Sequence, residues 1–268
     1  MEKTLAGRIA FVTGSGRGLG RAIAERLAEL GADVAIHDLS EEAPAKYGES
    51  PTLSAVAGEL RRHGGRVTAV TGDIGEPGRA VQMEAAIGSE LGPIDILVNC
   101  AGGDIGAQGT KPDPNDALHV SYEDIRALIN NNLIGTMLVT QAVGRGMVER
   151  KRGSIVNIAS VAAHFGTSPE VTYSSIKAAI VHYTRCLAFE LRPHGVRVNA
   201  VSPGPTKTAR FVATRKVDPA MMDERNALVR YAKPGEIADA VAFFAGDASR
   251  FVHGQVLRVD GGMTLYAG

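Results

Sequence analysis

Short apolar runs alternate along this chain with stretches in which apolar residues recur every three or four positions. Ile9-Ala10-Phe11-Val12 is apolar throughout and stops at a glycine-rich turn. In the next segment, 18–31, Leu19, Ile23, Leu27 and Leu30 fall at helical spacing, and Gly31 is a natural stop. The same reading predicts strands at 34–36, 67–70, 94–98, 155–158, 196–201 and 256–259. Helices fit between them at 53–62, 80–91, 122–149, 171–191 and 235–246. The strands are short and apolar on both faces, and each pair is separated by enough chain for a crossover. This pattern predicts an α/β fold: a doubly wound parallel sheet with helices on both faces.

Three segments interrupt the rhythm. Residues 40–52 carry Pro44, Gly48 and Pro51 and read as a surface excursion. Residues 102–120 are rich in Gly, Pro and Asp and are expected to lack regular structure, and 203–233 open with Pro203-Gly204-Pro205. The two later excursions follow strands, where ligands sit in such sheets, so they are candidate pocket walls. No linker or repeat divides 1–268, which we treat as one domain.

Composition narrows the function. Lys plus Arg and Asp plus Glu both total 29, so no net charge draws the chain toward nucleic acid or an anionic membrane. Trp is absent and aromatics are scarce, which counts against a stacking platform for single strands. Cys100 and Cys186 are the only cysteines; they form neither a disulfide framework nor a zinc-type ligand set, and no metal is expected. No basic-then-apolar leader opens the chain, and no apolar run approaches the ~20 residues of a membrane span. A cytoplasmic location is the expectation.

The first strand runs into Thr13-Gly14-Ser15-Gly16-Arg17-Gly18-Leu19-Gly20, and a helix follows. Glycines let backbone approach a pyrophosphate, and the helix start offers free N–H groups and a positive dipole end. Asp38, at the end of the second strand, lies 18 residues beyond Gly20, where a carboxylate would accept from adenosine ribose hydroxyls. It would also repel a 2′-phosphate, so NAD is expected over NADP. Arg17 argues mildly the other way, but Leu39 supplies no second cation. Asp73, with Ile74 beside it, could hold the adenine amino group or cap the next helix.

Tyr173 and Lys177 stand at i and i+4, on one face of a helix. A phenol of pKa about 10 is a poor base, and a nearby ammonium lowers that value. Ser160, thirteen residues upstream at the end of the fifth strand, can return to the same mouth and hydrogen-bond a substrate oxygen.

These motifs, with Asn99-Cys100-Ala101-Gly102 and Pro203-Gly204, resemble the single-domain short-chain dehydrogenase/reductase family over essentially the whole length. The resemblance implies a seven-stranded Rossmann-type sheet, a nicotinamide cofactor, a small alcohol or carbonyl substrate and a homotetramer. It makes Tyr173 the acid/base, Ser160 the group that orients the reacting oxygen, and Lys177 the holder of the nicotinamide ribose. Asn132 would support a proton relay. Cofactor contacts are implied for Gly14, Ser15, Gly16, Arg17, Gly18, Leu19, Gly20, Asp38, Leu39, Asp73, Ile74, Asn99, Ala101 and Gly102. Further contacts are implied for Tyr173, Lys177, Pro203, Gly204, Thr206 and Thr208. Cys100 departs from the family's usual second Asn. His164 and Phe165 could face substrate. The rival readings are an NADPH-dependent 3-oxoacyl-carrier-protein reductase and a non-catalytic dinucleotide sensor.

Overall fold

In the computed structural model, which describes residues 2–265, the apolar runs form β1 (Ile9–Val12), β2 (Asp33–Asp38), β3 (Val67–Thr71), β4 (Ile96–Asn99), β5 (Gly153–Ile158), β6 (Val196–Pro203) and β7 (Val256–Val259). They make one all-parallel sheet in the order β3-β2-β1-β4-β5-β6-β7, as the α/β reading requires.

Strand periodicity divides the core in two. Val12, Ile36 and Val98 point to one face, where they pack on α1 (Gly18–Glu29), α2 (Leu53–Leu60) and α8 (Pro234–Ala245). Their neighbours Phe11, Ala35 and Leu97 point to the other, against α3 (Arg79–Glu90), α5 (Gly135–Arg150) and α6 (Val171–Leu191). Phe11 and Leu97 are wholly buried. Truncating such side chains to Ala costs about 2–5 kcal/mol, so the central strands hold the sheet rigidly. Two short helices, α4 (Tyr122–Ile129) and α7 (Ala209–Thr214), lie over the C-terminal side of the strands. No helix among the described residues is long and apolar enough to cross a membrane.

Three expectations change. The helix expected over 122–149 is α4 and α5 joined by a π-turn at Asn130–Ile134. There Asn132 Nδ2 donates to the Leu128 carbonyl four residues back, at 2.9 Å, competing with the regular ladder. The excursion at 40–52 folds inward: it carries a 3₁₀ turn at Ala43–Tyr47 with Pro44 buried. Within 203–233, Thr208 Oγ1 accepts from Phe211 N at 3.1 Å and starts α7.

Candidate active site

Strand β1 lies between β2 and β4, so successive crossovers leave it in opposite directions and their loops part above it. The gap is a cleft of about 530 Å³ at the C-terminal ends of the strands. Thr13 ties its floor together: its Oγ1 accepts from Cys100 N at 3.0 Å and Ala101 N at 3.1 Å. A second, larger hollow of about 1000 Å³ lies at the N-terminal ends. Several of its charges are satisfied, Arg152 by Asp95 and Arg197 by the Phe244 carbonyl, and it holds no Tyr, so the chemistry belongs to the smaller cleft.

Close approach dictates the glycine turn. A Cβ on Gly20 would lie 2.1 Å from the Gly14 carbonyl, and Gly14 itself has φ +65°. Gly14 N donates to His37 Nδ1 at 3.1 Å while His37 Nε2 meets the Gly72 carbonyl at 2.9 Å. These partners select the neutral Nε2–H imidazole, and burial holds its pKa below the ordinary value. Gly14 and Arg17 to Gly20 line the cleft. Ser15 and Gly16 do not. Ser15 Oγ donates to the Val12 carbonyl at 2.7 Å, and Gly16 packs against Asp38 and Pro44, so both brace the turn from behind. Asn99 likewise sits under the floor, its Nδ2 donating to Thr140 Oγ1 (3.0 Å) and Asn157 Oδ1 (2.9 Å). None of these three lines the cleft, and Asn99 braces the end of β4.

Asp38 ends β2 on the cleft wall. Its Oδ1 accepts from Leu39 N at 2.8 Å, while Oδ2 is buried without a partner. Leu39 is exposed beside it, and Ile74 lines the same end. Asp73 Oδ1 accepts from Gly75 N at 2.8 Å, a local turn; it does not cap α3, whose N-cap is Gly78. The inward-folded 40–52 segment closes over this region. Glu49 Oε2 accepts from Gly18 N at 2.7 Å, Arg17 Nη1 donates to the Ala43 carbonyl at 2.7 Å, and Lys46 Nζ reaches the Gly109 carbonyl at 2.6 Å.

The other end of the cleft gathers Tyr173, Lys177 and Ser160. Tyr173 is in the first turn of α6 and lines the cleft with Ser160, whose Oγ accepts from Ala162 N at 3.2 Å. Lys177 is buried with Nζ 5.6 Å from the Tyr173 ring centroid, and it donates to the Ile158 carbonyl at 3.0 Å. Burial pulls the Lys177 ammonium down to about 8. Burial also pushes the Tyr173 phenol above its ordinary value, opposed mainly by Arg210 and the Ser160 hydrogen bond. Arg210 and Arg215 favour the phenolate, and Lys177 stands over the face of the same ring. Asn132 is fully buried. Its Oδ1 accepts from Gly103 N at 2.8 Å and its Nδ2 donates to the Gly103 carbonyl at 3.0 Å, which pins the loop after β4.

Ala101, Gly102, Pro203, Gly204, Thr206 and Thr208 all line the cleft as expected. Thr208 faces Gly18, where a Cβ would be 3.6 Å away. Cys100 also lines it, with its thiol pushed up to about 12 by burial, so it is not a nucleophile. His164 turns away to Ser202 Oγ at 3.0 Å, whereas Phe165 is at the wall.

The family profile described as enoyl-(acyl carrier protein) reductase matches residues 14–264, spanning every element of this cleft. The chain belongs to the short-chain dehydrogenase/reductase family. Among curated members, the (2S)-[(R)-hydroxy(phenyl)methyl]succinyl-CoA dehydrogenase subunit BbsD of Thauera aromatica is 39% identical over 97% of this chain and 98% of its own. The cyclohexanol dehydrogenase of a Rhodococcus species is 34% identical over 97% of each. The crystal structure of a gluconate 5-dehydrogenase from Burkholderia cenocepacia with NADP and tartrate superposes with a TM-score of 0.83 at 33% identity, covering 99% of this chain and 98% of that one.

As a short-chain dehydrogenase/reductase, the protein is an NAD(P)-dependent oxidoreductase of alcohol and carbonyl groups. Its residues fit a dinucleotide: the glycine turn leaves room that a Cβ would fill, and the orphaned Asp38 oxygen is an acceptor awaiting donors. Sequence reasoning missed Arg210 and the charged group around Glu170. Glu170 Oε1 accepts from Lys111 Nζ (2.7 Å) and Arg215 Nη1 (3.0 Å), and Asp104 lies 3.8 Å from the same Lys111. The adjacent glycines Gly102 and Gly103, both at positive φ, were the available signal that other groups approach this loop closely.

Proposed function

We propose that this protein interconverts a secondary alcohol and its ketone with NAD(H) as the redox partner. Tyr173 acts as acid/base, Ser160 holds the reacting oxygen, and Lys177 and Asn132 support them. The meeting of Tyr173, Ser160 and Lys177 on one wall of the cleft carries the reading, because it offers two hydroxyls to a single substrate oxygen. Bound along the cleft, the nicotinamide supplies the hydride acceptor or donor.

In the oxidising direction Ser160 and Tyr173 take the substrate hydroxyl between them. The Tyr173 oxygen, as phenolate, accepts the hydroxyl proton as the C–H bond breaks. Arg210 and Arg215 favour that ionised form. Lys177 keeps the Tyr173 face of α6 against the end of β5 through the Ile158 carbonyl. Asn132 fixes Gly103, and with it the wall that excludes water from the reacting atoms. In reduction Tyr173 returns the proton.

The preference for NAD rests on Asp38, whose buried free oxygen suits ribose hydroxyls and repels a 2′-phosphate. Cyclic alcohols, sugars and hydroxy acids are the substrate classes to test first, since relatives are named for a cyclohexanol and a gluconate. We take the chain as one cytoplasmic unit that assembles as a homotetramer. Exposed Phe189 on α6, Phe243 on α8, Phe251 in the connection before β7 and Leu257 on the open β7 edge support the assembly.

The test is formation of reduced nicotinamide absorbance with NAD⁺ and NADP⁺ across secondary alcohols, sugars and hydroxy acids, with Tyr173→Phe alongside. Turnover with NAD⁺ that disappears in Tyr173→Phe, while NADH still binds that variant, is the expected result. Full activity in the variant would overturn the assignment of Tyr173.

A further inference from the structure

Six cationic side chains line the cleft, and five of them meet an oxygen of the protein. Arg17 has the Ala43 carbonyl, Lys46 the Gly109 carbonyl and Lys177 the Ile158 carbonyl. Lys111 and Arg215 share Glu170. Arg210 alone has no hydrogen-bond or ion-pair partner among the described residues. Its guanidinium lies against the backbone of Gly103, so close that a Cβ there would be 2.5 Å from both Nη atoms. It shares the cleft lining with Tyr173 and Ser160, and is the leading charge that favours the Tyr173 phenolate.

The other partner available to Arg210 is the cofactor pyrophosphate, and the fold argues against that. Thr208, at the start of α7, faces Gly18 on the phosphate side of the cleft. Two residues on, Arg210 reaches instead to Gly103, in the loop after β4 that Asn132 pins. Phe211 anchors this division: its ring packs edge-on to Tyr231 at 5.0 Å, and Arg215 stacks over it at 5.4 Å. Neither nearby carboxylate is paired with Arg210, although Asp104 Oδ1 is buried without a hydrogen-bond partner. Glu170 is shared by two cations, and Asp104 accepts from Asn115 at 2.9 Å. A guanidinium in a site that closes on its ligand needs an anion, and its planar fork matches a carboxylate with two parallel hydrogen bonds.

We propose that Arg210 is the specificity residue of this cleft and that the alcohol substrate carries a carboxylate, which Arg210 binds while Ser160 and Tyr173 hold the hydroxyl. The inference deepens the proposed function and rests on its assignment of those two hydroxyls to the reacting oxygen. A hydroxy acid is thereby preferred over the matching ester, amide or plain alcohol.

Binding tests this without turnover. The NADH-loaded protein is titrated calorimetrically with cyclohexanecarboxylate and with cyclohexanecarboxamide, neither of which has a hydroxyl to oxidise. The carboxylate should bind about tenfold tighter or more. Arg210→Gln should bring the two affinities together, and Arg210→Lys should restore part of the gap. The affinity for NADH is measured in each variant. Equal binding of the two compounds by the unaltered protein would overturn the proposal. So would a gap that persists in Arg210→Gln while NADH binding falls tenfold, which would give Arg210 to the pyrophosphate. In parallel, oxidation of 3-hydroxybutyrate is compared with that of its ethyl ester. Carboxylate binding without any oxidation would remove the dehydrogenase reading and leave the carboxylate site standing.

Discussion

The backbone N–H of Gly18 donates to Glu49, whose Oε2 is 2.7 Å away, so an acidic side chain from 31 residues further on closes the first turn of α1. Helix starts attract anions, and this one already has one. The segment that delivers it is fixed at both ends. Arg21 Nη1 donates to the Glu49 carbonyl at 2.9 Å, and Arg17 holds Ala43. The other Glu49 oxygen is buried and unpartnered. A pyrophosphate entering the turn therefore meets a resident negative charge.

Glu49→Gln keeps the hydrogen-bonding shape and removes the charge. NADH should bind this variant about three- to tenfold more tightly, a gain of the size expected for relief of like charge at a helix start. Fluorescence titration of NADH measures it. Weaker binding would make Glu49 a ligand of the nucleotide instead of its competitor.

Asp38 should set the choice of nicotinamide cofactor. Its Oδ2 is buried and lacks any donor, so a 2′-phosphate placed there would face an unscreened carboxylate. Asp38→Ser should raise the ratio of kcat/KM for NADP⁺ to that for NAD⁺ by at least about tenfold, as removal of a buried charge clash predicts. Steady-state rates with both cofactors decide it. An unchanged ratio would move discrimination to Arg17.

His37 makes stability depend on pH. In the folded protein its Nδ1 must stay unprotonated to accept from Gly14, and burial holds its pKa below the ordinary histidine value. The unfolded chain takes up that proton first as pH falls through about 6.5. The stabilisation is thus complete above that pH and is lost below it, with a limiting slope of about 1.4 kcal/mol per pH unit. His37→Gln should flatten this part of the profile. Urea unfolding of both proteins between pH 5 and 7.5 isolates the contribution of this residue from the other histidines. Parallel profiles would show that His37 titrates alike in both states.

The sheet was legible because its strands are buried on both faces, and burial writes itself as unbroken apolar runs. β7 and α6 fall where the pattern put them. The π-turn was not legible, since Asn130, Asn131 and Asn132 fit a helix as well as any polar residues do. What breaks the ladder is one side chain bonding the Leu128 carbonyl, which spacing does not encode. The glycine motif was read as a set of ligands. Packing turns Ser15 and Gly16 toward β2 and the buried Pro44 instead. The prolines and glycines of 40–52 signalled an irregular segment but not its direction. That depends on contacts made over long separations, from Glu49 to Gly18 and from Lys46 to Gly109. Arg210 sat in a polar stretch with no local mark of its role.

The parting of the crossovers on either side of β1 also partitions the freedom to change. Asp38, the glycine turn and the Glu49 segment all precede β4, whereas Gly103, Asn132, Ser160, Tyr173 and Arg210 all follow it. Thr13 stitches the halves at the cleft floor, and it does so through backbone N–H groups that any residue but proline at 100 and 101 would offer. Cys100 is the local instance: a thiol stands there, and its N–H keeps the stitch intact. Loops after Gly102 can therefore be exchanged to redirect what is oxidised while the apparatus that accepts the electrons is inherited unchanged.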